Sequence, residues 1–159
     1  MKYFKMFYET EEELKKEFCN WCKRLHPDNG GSNEEFVEMQ KEFTNIFENV
    51  KGKHRNKDGN IYQEDKKQYY NCEDFIIKIK SIIKYNIDID IIGRWLWVSG
   101  NTKEIKELLK QLKFNYSGQK QAWYYHEGKY RKKSSSNDTL EELKEKYKSH
   151  NIKEIKKIA

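Results

Sequence analysis

Cys22-Lys23-Arg24-Leu25-His26-Pro27-Asp28-Asn29-Gly30-Gly31-Ser32-Asn33-Glu34-Glu35 is the stretch that decides how this chain folds. It holds the one proline among 159 residues. Proline fixes φ, lacks an N–H and disfavours helix in the residue before it, so Pro27 ends whatever helix precedes it. Asn29-Gly30-Gly31 then supplies residues that tolerate left-handed backbone, and Ser32 restarts a helix. Upstream, Thr10-Glu11-Glu12-Glu13 has the form of a capping box: the threonine hydroxyl accepts from the third amide, and Glu13 reaches back to the threonine amide. Leu14, Phe18, Trp21, Cys22 and Leu25 follow on one helical face. Downstream, Ser32-Asn33-Glu34-Glu35 is a second capping box. Phe36, Met39, Phe43, Ile46 and Phe47 form the stripe behind it. These stripes predict an antiparallel helix pair with His26-Pro27-Asp28 at its tip. Tyr3, Phe4, Met6 and Phe7 predict a short turn of helix over residues 2–8.

Beyond residue 50 the pattern changes twice. Residues 51–63 open with Lys-Gly-Lys-His-Arg-Asn-Lys-Asp-Gly-Asn, a polar, basic, glycine-punctuated run that reads as a linker or exposed loop. Residues 64–86 return to helical spacing, with Tyr69, Cys72, Ile76, Ile79 and Ile83 on one stripe and Phe75 and Ile82 beside it. This connecting helix has no partner that the pattern identifies. At Ile87 the period becomes two: Ile87-Asp88-Ile89-Asp90-Ile91 alternates apolar with acidic, as a strand with one buried face does. Gly93-Arg94 is a turn or bulge, and Trp95-Leu96-Trp97-Val98 a strand covered on both faces. Asn101-Thr102-Lys103-Glu104 caps a helix carrying Ile105, Leu108, Leu109 and Leu112. Phe114-Asn115-Tyr116 and Ala122-Trp123-Tyr124-Tyr125 are two further strands. Asp138-Thr139-Leu140-Glu141 caps a last helix with Leu140, Leu143 and Tyr147. The expected fold class is therefore α+β: a helical unit over residues 1–50, a linker, a connecting helix, a tryptophan-rich module over 87–149 and a tail from 150 to 159.

Residues 2–50 resemble the J domain of DnaJ-type co-chaperones. The likeness is carried by Tyr3-Phe4-Lys5-Met6-Phe7 at its first helix, by Leu14, Phe18, Trp21 and Cys22 in its second, by His26-Pro27-Asp28 at its signature loop, and by Phe36, Met39, Phe43, Ile46 and Phe47 in its third. The tripeptide between two correctly phased helices looks like the truncated J domains of phage and mobile-element proteins. The resemblance implies docking on a DnaK-type chaperone ATPase and stimulation of its ATP hydrolysis. It assigns contacts to His26, Pro27 and Asp28 and to the basic residues Lys15, Lys16, Lys23 and Arg24. The family usually carries basic residues where Cys19 and Asn20 stand here and often a tyrosine at Leu25. Its fourth helix, with a Gln-Lys-Arg-type motif, has no counterpart after residue 50. The segment from Ile91 to Tyr125 is similar to small modules that follow such J domains, and to the DNA-binding accessory module of annealing helicases.

The charge distribution divides along the same line. Residues 1–50 hold 7 Lys/Arg against 11 Asp/Glu, whereas residues 51–159 hold 25 against 15, for a net charge of +6. Residues 93–133 are the most basic, with 10 Lys/Arg against 3 Asp/Glu. Cations anchor phosphates and aromatic faces stack on bases, so Arg94, Lys120, Lys129, Arg131, Lys132 and Lys133 are the candidate DNA or RNA contacts. Trp95, Trp97 and Trp123 read as core, because so small a sheet needs their buried area. A basic second half can also deliver a nucleoprotein client. The alternative to a co-chaperone is a nucleic-acid-binding protein whose helix hairpin is only a scaffold.

Other classes find little support. No apolar run approaches the ~20 residues that span a bilayer, and no signal peptide is read after Met1-Lys2-Tyr3-Phe4-Lys5. Three cysteines fit a reducing cytoplasm better than a disulfide framework. Cys19-Asn20-Trp21-Cys22 lies inside a helix with no preceding strand, so packing is expected there, not redox chemistry. Cys72, His26 and His54 are at no familiar zinc spacing, and no phosphate-cradling glycine loop occurs. A catalytic role for His26 would require a nucleophile, a metal or a second acid working with it, and none is evident, so no enzyme activity, metal or cofactor is expected.

Overall fold

The computed structural model describes residues 1–56, 58–64, 72–93, 95–126 and 138–146. The fold is α+β, with helices first and a β module after them. The chain divides into two compact units: Met1–His54 with Ile61–Tyr85, and Arg55–Asn60 with Asn86–Ala159.

In the first unit, α1 (Glu11–Leu25) and α2 (Asn33–Val50) flank a 3-10 turn at Pro27–Asn29. The pair is antiparallel: Glu11 accepts from the Gly52 amide at one end, Phe18 stacks on Phe43 midway at 4.2 Å, and His26 meets Phe36 at the other end. Both helices start as their sequences require. Thr10 Oγ1 accepts from the Glu13 amide, and Ser32 Oγ accepts from the Glu35 amide. Glu13 reaches back to the Glu9 amide, not to the expected Thr10 amide. The connecting helix belongs to this unit. Its described helical part is α3 (Glu73–Ile82), whose Phe75 lies 5.8 Å from Phe18 and 6.2 Å from Phe43. Phe18, Phe43, Phe47, Phe75 and Met39 are fully buried, and together they supply the unit's apolar centre.

Three expectations fail in this unit. Residues 2–8 are not helical. The Glu42 carboxylate of α2 accepts from the amides of Lys2, Tyr3 and Phe4, and the Trp21 indole donates to the Tyr3 carbonyl at 2.7 Å. Trp21 thus takes the Tyr3 carbonyl that a helix would have paired with the Phe7 amide, and Glu42 holds the first three amides in a non-helical turn. Nor is the segment after residue 50 a plain exposed loop. It holds a two-stranded sheet, β1 (Lys53–Arg55) and β2 (Ile61–Gln63), and His54 is completely buried. Glu64 follows β2 and donates its amide to the Gly52 carbonyl, so the connecting helix does not begin there.

The second unit is built on a four-stranded antiparallel sheet of order β3-β4-β6-β5. Its strands are β3 (Ile87–Ile92), β4 (Trp95–Gly100), β5 (Asn115–Ser117) and β6 (Ala122–His126). Register sorts the side chains. Ile89 pairs with Val98, and Val98 with Trp123, on one face; Asp90 pairs with Trp97, and Trp97 with Tyr124, on the other. Between β4 and β5 lies α4 (Lys106–Gln111), and α5 (Leu140–Lys146) follows β6. Leu140 and Leu143 of α5 pack with Ile92, Trp97 and Ala122 on the Asp90 face. The core reading holds for Trp97 and Trp123, both buried, whereas Trp95 is half-buried.

Three local expectations change in this unit. The Asn101–Glu104 box does not form: Thr102 stands at the N-cap without a side-chain hydrogen bond, and a 3-10 turn at Lys103–Ile105 leads into α4. The last helix is capped by a reciprocal box of Thr139 and Glu142. Asp90, expected on a solvated face, is fully buried beside the Lys144 ammonium at 3.3 Å. Burial pushes its carboxyl above the usual range, and Lys144 opposes only part of that shift. The expected helix position Tyr147 and the tail 150–159 lie outside the described residues. No helix among the described residues is long and apolar enough to cross a membrane.

Candidate functional site

The tip of the helix hairpin is assembled almost wholly from short-range backbone geometry. His26 has extended backbone (φ −61°, ψ 133°), as a residue before proline must, and its amide still closes α1 on the Cys22 carbonyl at 3.0 Å. The His26 carbonyl accepts from the amides of Asn29 and Gly31. The Asn29 side-chain amide donates to the Lys23 carbonyl at 2.7 Å, which ties the turn to the last turn of α1.

Gly30 and Gly31 are needed for different reasons. Gly30 has φ 84°, a left-handed conformation that costs an L residue about 1–2 kcal/mol. Gly31 has no such φ, but a Cβ there would stand 2.1 Å from the Leu25 carbonyl oxygen and 2.5 Å from its Cα. A backbone obstacle of that kind cannot rotate away, so Gly31 is required by close approach of the two helix ends.

This framework presents the tripeptide in a defined way. Pro27 and Asp28 are exposed, and His26 is partly covered. The His26 ring stands edge-on to Phe36, with centroids 6.5 Å apart at 89°. Its Nδ1 accepts from the Asp28 amide at 3.2 Å, which assigns the imidazole proton to Nε2. The Asp28 carboxylate lies 3.8 Å from the same Nδ1. The tip thus offers one imidazole N–H, one carboxylate and a rigid proline ring to a partner.

The cations assigned to this surface by sequence separate into two pairs. Arg24 is exposed over the Trp21 ring, 5.3 Å from its centroid, and Lys16 is half-exposed. Lys15 and Lys23 are buried, which corrects their assignment as surface contacts. Lys15 turns inward because α3 brings Phe75 under its ammonium, 4.9 Å from the centroid, and because Glu11 pairs with it. Lys23 is only 8% exposed.

Lys15 belongs to a buried ionic cluster that spacing in the sequence does not reveal. His54 is completely buried; its Nδ1 contacts Glu12, and its Nε2 lies 3.8 Å from Glu11 and 3.7 Å from Glu64. Burial alone would lower the His54 pKa, but the carboxylates of Glu12, Glu11 and Glu64 outweigh it and raise the value. The Glu11–Lys15 pair has the i,i+4 spacing of a helical ion pair, but nothing local links His54 to Glu12 or Glu64.

The Cys-x-x-Cys pair is packing. Cys19 and Cys22 are free, fully buried thiols. Burial pushes Cys19 up to about 12 against the opposing charges of Lys23 and Lys15. Burial also raises Cys22 well above its ordinary value, with Cys19 adding to the shift and the Lys80 cation opposing it. Neutral, inaccessible thiols are poor nucleophiles and poor metal ligands.

In the second unit the expected nucleic-acid contacts are mostly out of view. Arg94, Lys129, Arg131, Lys132 and Lys133 lie outside the described residues. Lys120 is half-exposed, and its amide donates to Ser117 Oγ. Lys103, Lys106, Lys110 and Lys113 are exposed around α4, and Tyr116 is 54% exposed on β5. Comparison with known proteins finds no family model, no curated protein and no solved structure that matches this chain.

Proposed function

We propose that the chain is a J-domain-type co-chaperone or adaptor. Its His26-Pro27-Asp28 tip docks on a DnaK-type chaperone ATPase and stimulates ATP hydrolysis, and its basic second unit holds a client or a nucleic acid. The observation that carries this reading is the construction of the tip: two glycines, one carbonyl and Asn29 fix a histidine, a proline and an aspartate at the end of a helix hairpin. Pro27 and Asp28 are exposed together at this fixed tip, which suits contact with a partner surface. The role is docking without chemistry of its own. A partner gains from such a preformed tip because little ordering entropy is lost on binding.

The second reading is a nucleic-acid-binding protein with the hairpin as scaffold. It rests on the excess of basic residues after residue 50, on the exposed lysines around α4 and on the exposed Tyr116 of β5. The two readings separate on one measurement, the affinity of a purified DnaK-type chaperone in its ATP state for wild type and for Asp28→Asn. The co-chaperone reading expects saturable binding that the substitution reduces at least ~30-fold, as loss of a central charged contact does. Absence of binding by wild type, together with salt-sensitive capture of DNA or RNA, would leave only the second reading.

A further inference from the structure

The exposed cations beside the tip do not all come from the hairpin. Cys19 and Asn20 carry no charge, and Lys15 and Lys23 are buried, so Arg24 and Lys16 are what α1 contributes. On the other side of the tip, α2 opens with the exposed acids Glu34 and Glu35. Phe36 follows them, and it supports two groups at once. Its ring takes the edge of His26, and the Lys80 ammonium of α3 lies over it at 5.3 Å from the centroid. Lys80 is exposed, and among the described residues no carboxylate pairs with it. The Lys80 charge also opposes the rise of the buried Cys22 thiol, one turn before His26.

We infer that Lys80 is part of the docking surface: a cation delivered by α3 to the side of the His26 loop, where it meets an acidic patch on the DnaK-type ATPase. This rests on the co-chaperone reading. It gives α3 a role beyond burying Phe75 and Ile79, and it moves part of the recognition charge off α1. A rigid aromatic shelf under the ammonium limits the side-chain entropy lost when it pairs across an interface. Lys84, one turn on and over Tyr85 at 5.4 Å, is the internal control: an exposed lysine of the same segment without the link to Phe36 and His26.

The test is single-turnover ATP hydrolysis by a purified DnaK-type chaperone, titrated with full-length wild type, Lys80→Glu, Lys80→Arg, Lys84→Glu and His26→Gln, with circular dichroism confirming that each variant folds. The expected result is a half-maximal concentration raised about tenfold by Lys80→Glu, near wild type for Lys80→Arg and Lys84→Glu, and a weaker salt dependence for Lys80→Glu. Lys80→Glu indistinguishable from wild type, while His26→Gln is inert, overturns the inference and leaves the docking reading in place. Equal losses in Lys80→Glu and Lys84→Glu also overturn it, because diffuse charge would then suffice. Wild type without any acceleration removes both the inference and the reading beneath it.

Discussion

The hairpin tip and the four-stranded sheet hold their polar groups by opposite means. No residue of the Pro27–Asn29 turn is buried, yet its position is fixed by three backbone hydrogen bonds, one asparagine and two glycines. The sheet holds Asp90 by burial, with Trp97 opposite it and Lys144 as its counterion. Shape at the tip is therefore a matter of local backbone geometry, and shape in the sheet a matter of packed volume. Substitutions should divide the same way: the tip is sensitive to a single Cβ and insensitive to lost volume, and the sheet the reverse.

The largest effect on stability is expected in the sheet. Trp97→Ala removes a buried indole and should cost about 3–5 kcal/mol in urea unfolding, with chaperone affinity per folded molecule unchanged. Next comes Gly31→Ala, whose Cβ would overlap the Leu25 carbonyl. It should cost about 2 kcal/mol or more and abolish docking as well, because the overlap displaces His26. Gly30→Ala, which meets nothing within 4 Å, should cost only the left-handed penalty of about 1 kcal/mol and leave docking largely intact. Equal costs at the two glycines would break the claim that they serve different purposes.

Much of the tip was legible because its determinants are consecutive in the sequence. Pro27 marks the end of α1, Thr10 and Ser32 mark the helix starts, and the Phe18 and Phe43 stripes mark the faces that meet. What could not be read depends on groups far apart in the chain. Residues 2–8 have helical spacing, but Trp21 takes the Tyr3 carbonyl and Glu42, about forty residues away, anchors the amides of residues 2–4. Lys15 lies among the charged residues of α1, but Phe75 and Glu11 draw it inside. His54 sits in a run that looks solvated, and the carboxylates around it come from two separate segments. In the second unit the period-two alternation located β3, but it misplaced Asp90, because α5 covers the face that alternation alone assigns to water.

The smallest expected effect is a slope with pH in the first unit. His54 has a raised folded pKa, so it binds a proton more tightly folded than unfolded. Its contribution is fully present below about pH 6.5, the unfolded value, and is lost as pH rises through the folded value. Urea midpoints should fall across that interval in wild type and stay flatter in His54→Gln. A midpoint that rises with pH there would contradict the charge state assigned to the cluster.

The central claim is that the tip acts on a DnaK-type ATPase. Single-turnover ATP hydrolysis by the purified chaperone, with wild type and with His26→Gln at equal folded concentration, tests it most directly. The account predicts acceleration by wild type, none by the variant, and a stability loss of no more than about 1–2 kcal/mol from the His26 cap and its Phe36 contact. No acceleration by wild type, or equal acceleration by both, would contradict it.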